Sequence, residues 1–317
     1  MTTSPGASPG HTTPPSPSAA GAREEGAHGR GFERTQVWVF DLDNTLYPAD
    51  CDLFLQVDQR MGEFIARLLG VPFVYARHLQ KTYYRQFGTT LSGLMQVHGM
   101  DPKPFLDYVH DIDLTPVREH PELAAAIDKL PGRKLIFTNG SRRHAERVAG
   151  KLGVLHCFET IFDICDANYV PKPTASCYQH FCQAHGVEAT QSAMFEDIPR
   201  NLEAPHALGM TTVLVRSNAN HDHPVQQLIR AWVQPPAHVH HMTFDLAAFL
   251  EGLMGMSPQG LNAQGLNAQG LNPQVLSTGV LERAGKDAEL KGVEGVNSQH
   301  WREGGAPAPA DSKRTAR

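Results

Sequence analysis

The chain has 317 residues, 41% of them apolar, enough to bury a sizeable core, and a formal net charge of −5. That balance gives no general attraction to nucleic-acid polymers or anionic membranes, and no run approaches the roughly 18 consecutive apolar residues of a membrane span. Five cysteines, Cys51, Cys157, Cys165, Cys177 and Cys182, are odd in number and form no CxxC pair; this indicates neither a disulfide framework nor a zinc site and points to reduced thiols in a cytoplasmic protein.

In chain order, residues 1–34 are mostly Thr, Ser, Pro, Gly and Ala, with no large aliphatic residue beyond Met1. Such a segment cannot bury enough surface to offset ordering entropy, so a disordered tail is expected, and it lacks the apolar run of a secretory signal. "QVWVF" (36–40) is a β-branched and aromatic run ending on charged residues, as expected of a strand buried on both faces. From 51 to 113 the sequence reads as consecutive helices punctuated by Gly and Pro. A structureless loop of that length is implausible, so residues 50–116 are expected to form a small helical insert, a lid over the C-terminal edge of the sheet.

Strands and helices then alternate. The strands are "KLIFTN" (134–139), "TIFDI" (160–164), "SAMFED" (192–197) and "TTVLV" (211–215); the helices are "HPELAAAIDKL" (120–130), "SRRHAERVAGKLG" (141–153), "SCYQHFCQAHG" (176–186) and "PRNLEAPHALG" (199–209). This rhythm predicts right-handed βαβ units in an α/β core, a doubly wound Rossmann-like parallel sheet spanning residues 35–49 and 117–253. "GLNAQGLNAQGLNPQ" (260–274) repeats every five residues, too short a unit for a solenoid. Residues 254–317 are therefore expected to be a low-complexity, disordered tail.

Each strand delivers polar residues at its C-terminal end: Asp41 and Asp43, Thr138 and Asn139, Glu196 and Asp197. Positions i and i+2 of an extended segment share a side, so Asp41 and Asp43 can face one small volume. Carboxylates gathered there repel, and their desolvation is costly unless a cation or a shared proton compensates. With Asp197 as a third hard oxygen ligand, the cluster suits Mg²⁺ and a substrate phosphate. Each piece alone has a plainer reading: a solvated DxD, Thr138 and Asn139 as caps for the helix starting at Ser141, and "VPKP" (170–173) as a turn with an exposed Lys172. Their joint order favours a shared site.

In that order the residues resemble the four motifs of the haloacid dehalogenase-like (HAD) hydrolase superfamily, most of whose members are phosphatases. The motifs are "DLDNT" (41–45), "FTNG" (137–140), "PKP" (171–173) and "FEDIPRN" (195–201). The helical insert falls between the first two, as in members with a type-one cap. Its "YYRQFGTTLSGLMQVHGMDPKPFLDYVHDIDL" (83–114) resembles the cap of the pyrimidine 5′-nucleotidase branch.

The resemblance implies that Asp41 is a nucleophile forming an aspartyl-phosphate and that Asp43 is the general acid and base. It further implies that Lys172, the Thr138 hydroxyl and backbone N–H groups near Asn139 and Gly140 hold the transferring oxygens. Mg²⁺ would be held by Asp41, Asp197 and the Asp43 backbone carbonyl, with Glu196 acting through water and Asn201 orienting the loop. Asp43 argues against the branch that cleaves carbon–halogen bonds, which lacks it. Asn44, where phosphoglucomutases have Gly, leans toward the nucleotidase branch.

Substrate choice is expected from the insert: Tyr47, Tyr84, Arg85, Thr89 and Thr90, near the Gly88 turn, offer rings to stack and polar groups to meet a base or sugar. The plainer alternative is that Tyr83 and Tyr84 pack between helices. His144 is read as a helix-surface residue, with approach to the site as the alternative; "NHDHP" (220–224) and "HVHH" (238–241) are read as surface or edge histidines. The expectation is a Mg²⁺-dependent phosphomonoesterase acting on UMP and CMP, with a small phosphorylated metabolite as its partner. Its rivals are a phosphatase for a sugar phosphate or pyridoxal phosphate, and a catalytically idle HAD-like binding protein.

Overall fold

A computed structural model describes residues 31–216 and 234–255, together with Met1, Ile229 and Trp232. The greater part of both expected tails, the repeat and "NHDHP" lie outside the described residues.

Short runs built on consecutive buried apolar residues make the five strands expected from the sequence: β1 (Val37–Phe40), β2 (Arg133–Phe137), β3 (Thr160–Phe162), β4 (Ser192–Glu196) and β5 (Thr211–Val215). A sixth, β6 (His241–Thr243), extends the edge; the sheet is parallel throughout, in the order β3-β2-β1-β4-β5-β6. Successive residues of a strand point to opposite faces. Trp38, Phe40, Ile136, Phe195 and Val213 thus join one hydrophobic layer, while Val39, Leu135, Phe137, Met194 and Leu214 join the other. The first layer is covered by α5 (Pro121–Asp128), α6 (Arg142–Leu152) and α9 (Leu246–Gly255), the second by α7 (Ala175–His185) and α8 (Glu203–Leu208). Helices on both faces of a parallel sheet make the doubly wound α/β architecture.

The fold reaches past its expected ends. Phe32, assigned to the N-terminal tail, stacks on Trp38 with centroids 5.7 Å apart, and the Thr35 N–H donates to its carbonyl at 3.0 Å. At the other end α9 runs two residues past the expected boundary, to Gly255, and Leu250 and Leu253, inside that boundary, lie in the core. A single aromatic ring in a polar stretch has no periodicity, so only the groove beside Trp38 makes Phe32 part of the core.

Between β1 and β2 run α1 (Leu53–Leu69), α2 (Phe73–Phe87), α3 (Thr90–His98) and α4 (Pro102–Val109). Two devices join α1 to α2 and α2 to α3. Asp58 on α1 accepts from Arg77 at 2.5 Å, Lys81 at 2.7 Å and Gln80 at 2.8 Å, all on α2. Burial raises its pKa, but the two cations outweigh that and hold the carboxyl below its usual range. Gly93 on α3 lies where a Cβ would run into the Tyr83 side chain, so its lack of one permits the close approach of α2 and α3. Leu42, Leu46 and Tyr47, which follow β1, belong to the same hydrophobic cluster as Leu53, Val57, Ile65 and Leu94. This ties the helices to the C-terminal end of β1. Gly88, which ends α2, lies against Pro171, with its Cβ position 3.8 Å from the proline ring.

Candidate active site

Asp41 directly follows β1, and its N–H donates to the Phe195 carbonyl at 2.9 Å, so the ladder holds this residue in register with β4. The chain then turns sharply. Asn44 has φ +60°, a left-handed conformation that Asn tolerates better than most residues. The N–H groups of Thr45 and Leu46 both return to the Leu42 carbonyl, at 3.2 and 3.0 Å. This fold-back lets the Thr45 hydroxyl donate to Asp41 Oδ2 at 3.1 Å and the Tyr47 hydroxyl donate to Asp43 Oδ1 at 2.7 Å.

Lys172 is buried, not exposed in a turn. Its Nζ donates to Asp41 Oδ1 at 2.6 Å, to Glu196 Oε2 at 2.7 Å and to the Phe137 carbonyl at 2.9 Å, which uses all three protons. The surrounding loop is clamped by Asn139, whose Oδ1 accepts from the Lys172 N–H at 2.9 Å and whose Nδ2 donates to the Lys172 carbonyl at 3.2 Å. Burial alone lowers the pKa of such an ammonium, but Asp41 and Glu196 outweigh it and Lys172 stays protonated.

Asp41, Glu196 and Asp197 each bring a carboxylate oxygen within 4.8 Å of the others. Burial and the Glu196 charge push Asp41 up to about 7 despite Lys172, and burial with Glu196 and Asp41 pushes Asp197 well above its ordinary value. One lysine does not neutralise three carboxylates. A set of hard, like-charged oxygens held close with too little positive charge fits a divalent cation of the Mg²⁺ class.

The N–H of Gly140 donates to the Thr138 hydroxyl at 2.9 Å, while the cap of α6 is Ser141, whose Oγ accepts from the His144 N–H. The capping alternative for Thr138 and Asn139 therefore does not hold. A Cβ on Gly140 would stand 3.3 Å from both the Thr138 hydroxyl and the His144 ring and 3.7 Å from Asp43 Oδ2, so the glycine leaves those three groups room to converge.

His144 corrects the surface reading. It is 1% exposed, and its Nε2 lies 2.8 Å from Asp43 Oδ1. Its ring stacks on His110 with centroids 4.4 Å apart. Burial raises the Asp43 pKa, but the His144 and Tyr47 contacts lower it by more, so Asp43 is ionised at neutral pH. Burial and His144 drive His110 down to about 3, and it is neutral.

The remaining candidates divide. Tyr47 is 1% exposed with its hydroxyl on Asp43, leaving no free face for a base. Thr89 caps α3 by accepting from the Ser92 N–H, and Thr90 is buried with its hydroxyl toward the Gln80 carbonyl at 3.3 Å. Tyr84 is 44% exposed near the end of α2, and burial together with the charge of Asp197 raises the pKa of its hydroxyl. Arg85 is exposed near the Thr82 hydroxyl. Asn201 is buried in the turn Pro199–Leu202, its carbonyl accepting from Tyr178 at 2.6 Å. Of "HVHH", His240 Nδ1 accepts from the Thr212 N–H at 3.0 Å and His241 opens the edge strand β6, in keeping with the edge reading.

Residues 35–209 match the haloacid dehalogenase-like hydrolase family, and the chain belongs to it. Phosphate metabolism protein 8 of Saccharomyces cerevisiae is 25% identical over 201 residues, which cover 56% of this chain and 61% of that relative's length. Among solved structures, the HAD phosphatase from Thermococcus onnurineus is 15% identical with a TM-score of 0.46, over 70% of this chain and 98% of that one. The L-2-haloacid dehalogenase from Xanthobacter autotrophicus is 16% identical with a TM-score of 0.42, over 70% of this chain and all (100%) of the other. Among the described residues, no helix is long and apolar enough to cross a membrane.

Proposed function

We propose that this hydrolase is a Mg²⁺-dependent phosphomonoesterase that works through an aspartyl-phosphate on Asp41, with UMP and CMP as its preferred substrates. The observation that carries the reading is the buried Asp41–Lys172–Glu196 cluster, with Asp197 beside it, at the C-terminal edge of β1 and β4.

In the first half-reaction a carboxylate oxygen of Asp41 attacks phosphorus. The Asp41 O–P bond forms as the ester P–O bond breaks, and the leaving oxygen takes a proton from Asp43. In the second, a water attacks phosphorus and gives its proton to Asp43. The Asp41 O–P bond breaks, inorganic phosphate leaves and Asp41 is restored. Asp43 is ionised before substrate arrives and takes up a proton from solvent as the charge of a phosphoryl dianion beside it raises its proton affinity; that proton is the one it gives to the leaving oxygen. The Thr138 hydroxyl and the Asn139 N–H meet the phosphoryl oxygens, and Lys172 and the Gly140 N–H join them by exchanging a present contact, to Asp41 or the Phe137 carbonyl and to Thr138 respectively, for a phosphoryl oxygen. Asp41, Asp197 and the Asp43 carbonyl would hold Mg²⁺, with Glu196 acting through water. When bound, the ion supplies positive charge to the phosphoryl oxygens.

For the substrate, the support is the resemblance of residues 83–114 to the nucleotidase cap, with Tyr84 exposed on α2 as a surface on which a base can stack. Phosphate release from a panel of monoesters with Mg²⁺ tests this. UMP and CMP are expected to exceed sugar phosphates and pyridoxal phosphate by at least about tenfold in kcat/KM. The reverse order would overturn the nucleotide assignment. No Mg²⁺-dependent release from any member would favour an idle, partner-binding domain.

A further inference from the structure

We propose that His144 is a positioning residue for Asp43, fixing one carboxylate oxygen so that the other is presented to the leaving group, and that His110 braces it. The proposal rests on the phosphomonoesterase reading above.

Asp43 Oδ1 carries two contacts, the Tyr47 hydroxyl at 2.7 Å and His144 Nε2 at 2.8 Å, and both partner side chains are fully buried. A carboxylate free to turn about its Cβ–Cγ bond presents either oxygen in many directions. One whose Oδ1 is held from two sides presents Oδ2 in one direction, and proton transfer depends on such alignment. Oδ2 lies toward Gly140, where the absent Cβ keeps the space open.

His144 is itself fixed. It is the third residue of α6, on the buried stripe with Ala145, Val148 and Ala149, and its ring lies 14° from parallel to that of His110. His110 follows α4 and is held to α6 in two ways: its Nδ1 lies 2.9 Å from the Ser141 hydroxyl, and its carbonyl accepts from Arg147 at 2.8 Å. Arg147 also donates to the Ile112 carbonyl at 3.1 Å. The segment that returns the chain from α4 to the core is thus pinned beside the acid's partner. Buried hydrogen bonds of this kind are stiff because no water competes for either partner.

The test separates positioning from mere packing through the leaving group. A p-nitrophenolate leaves without a proton, whereas an alkoxide such as the ribose oxygen of UMP needs one. The full chain and its His144→Leu, His144→Gln and Asp43→Asn variants are assayed with Mg²⁺ on p-nitrophenyl phosphate and on UMP, or on whichever alkyl ester turns over fastest. In the single-turnover rate of leaving-group release, which precedes the hydrolytic step that both esters share, His144→Leu is expected to slow the alkyl ester by about 10- to 100-fold and p-nitrophenyl phosphate by less than about threefold. His144→Gln, which keeps a donor at similar reach, is expected to recover part of the loss. Equal losses on both esters, or a Gln variant no better than Leu, would overturn the proposal. If Asp43→Asn shows no dependence on the leaving group, the acid assignment itself fails, and the proposal with it. Should His144→Leu not fold, His110→Leu removes the stack and the Ser141 contact while keeping His144 itself; a loss confined to the alkyl ester supports the proposal, and an equal loss on both esters overturns it.

Discussion

Asp41→Asn is expected to lower phosphate release by at least about 10⁴-fold, because the amide keeps the shape of the side chain and removes the group that forms the bond to phosphorus. The variant should stay folded and, without divalent cation, should be more stable than the wild type near about pH 8. The sign follows from linkage. The folded-state pKa of Asp41, about 7, lies above the ordinary value of 3.8. Between those values the folded chain keeps a proton that the unfolded chain has released, so the group's stabilisation is complete below the lower value and is lost as pH rises through the upper one. An Asn at this position cannot ionise and escapes that loss. Thermal unfolding in EDTA at about pH 5 and about pH 8 reads it: the gain should be present at the higher pH and small at the lower. Retained turnover would remove Asp41 from the nucleophile's role.

Lys172→Met is expected to cost about 3–5 kcal/mol at neutral pH, since it leaves buried carboxylates facing one another without their cation. Methionine matches the length of the aliphatic stem, so the loss reports the charge and its hydrogen bonds more than a cavity. Asp41 and Glu196 each lose an ion pair, at 2.6 and 2.7 Å. Turnover is expected to fall by about 10²-fold or more, the scale of losing a fixed charge that holds the transferring oxygens. Urea unfolding at about pH 8 and about pH 5 checks the assignment. Protonation relieves the repulsion, so the deficit should shrink on acidification, and added Mg²⁺ should shrink it at the higher pH. A variant as stable as the wild type at both pH values would mean that the carboxylates do not depend on Lys172.

The first five strands were legible because burial on both faces leaves runs such as Val37–Phe40 without a polar interruption. β6 was not, since His241, Met242 and Thr243 form a half-buried edge of three residues with no apolar run. α9 is apolar but leads into the Gly- and Asn-rich repeat, which hides its boundary. The site's members were legible by residue type, because Asp, Glu and Lys are rarely placed at strand ends inside a core without chemical cause. Their pairings were not. Tyr47 reaches Asp43 only because Asn44 turns the chain at positive φ, and Thr89 and Thr90 were drawn away from any ligand by the start of α3. His144 did leave a signal: it stands four residues before Val148 and beside Ala145, on the stripe that α6 buries. Arg142, Arg143, Glu146 and Arg147 around it gave the segment the look of a solvated helix.

The covalent intermediate is the central claim and can be trapped. The full chain is incubated with Mg²⁺ and p-nitrophenyl phosphate carrying a radiolabelled phosphoryl group, then quenched in acid during turnover. The label is expected on the peptide that contains Asp41, in a bond cleaved by hydroxylamine, and absent from Asp41→Asn. Phosphate release with no label on the protein, or label on a peptide without Asp41, would contradict the mechanism.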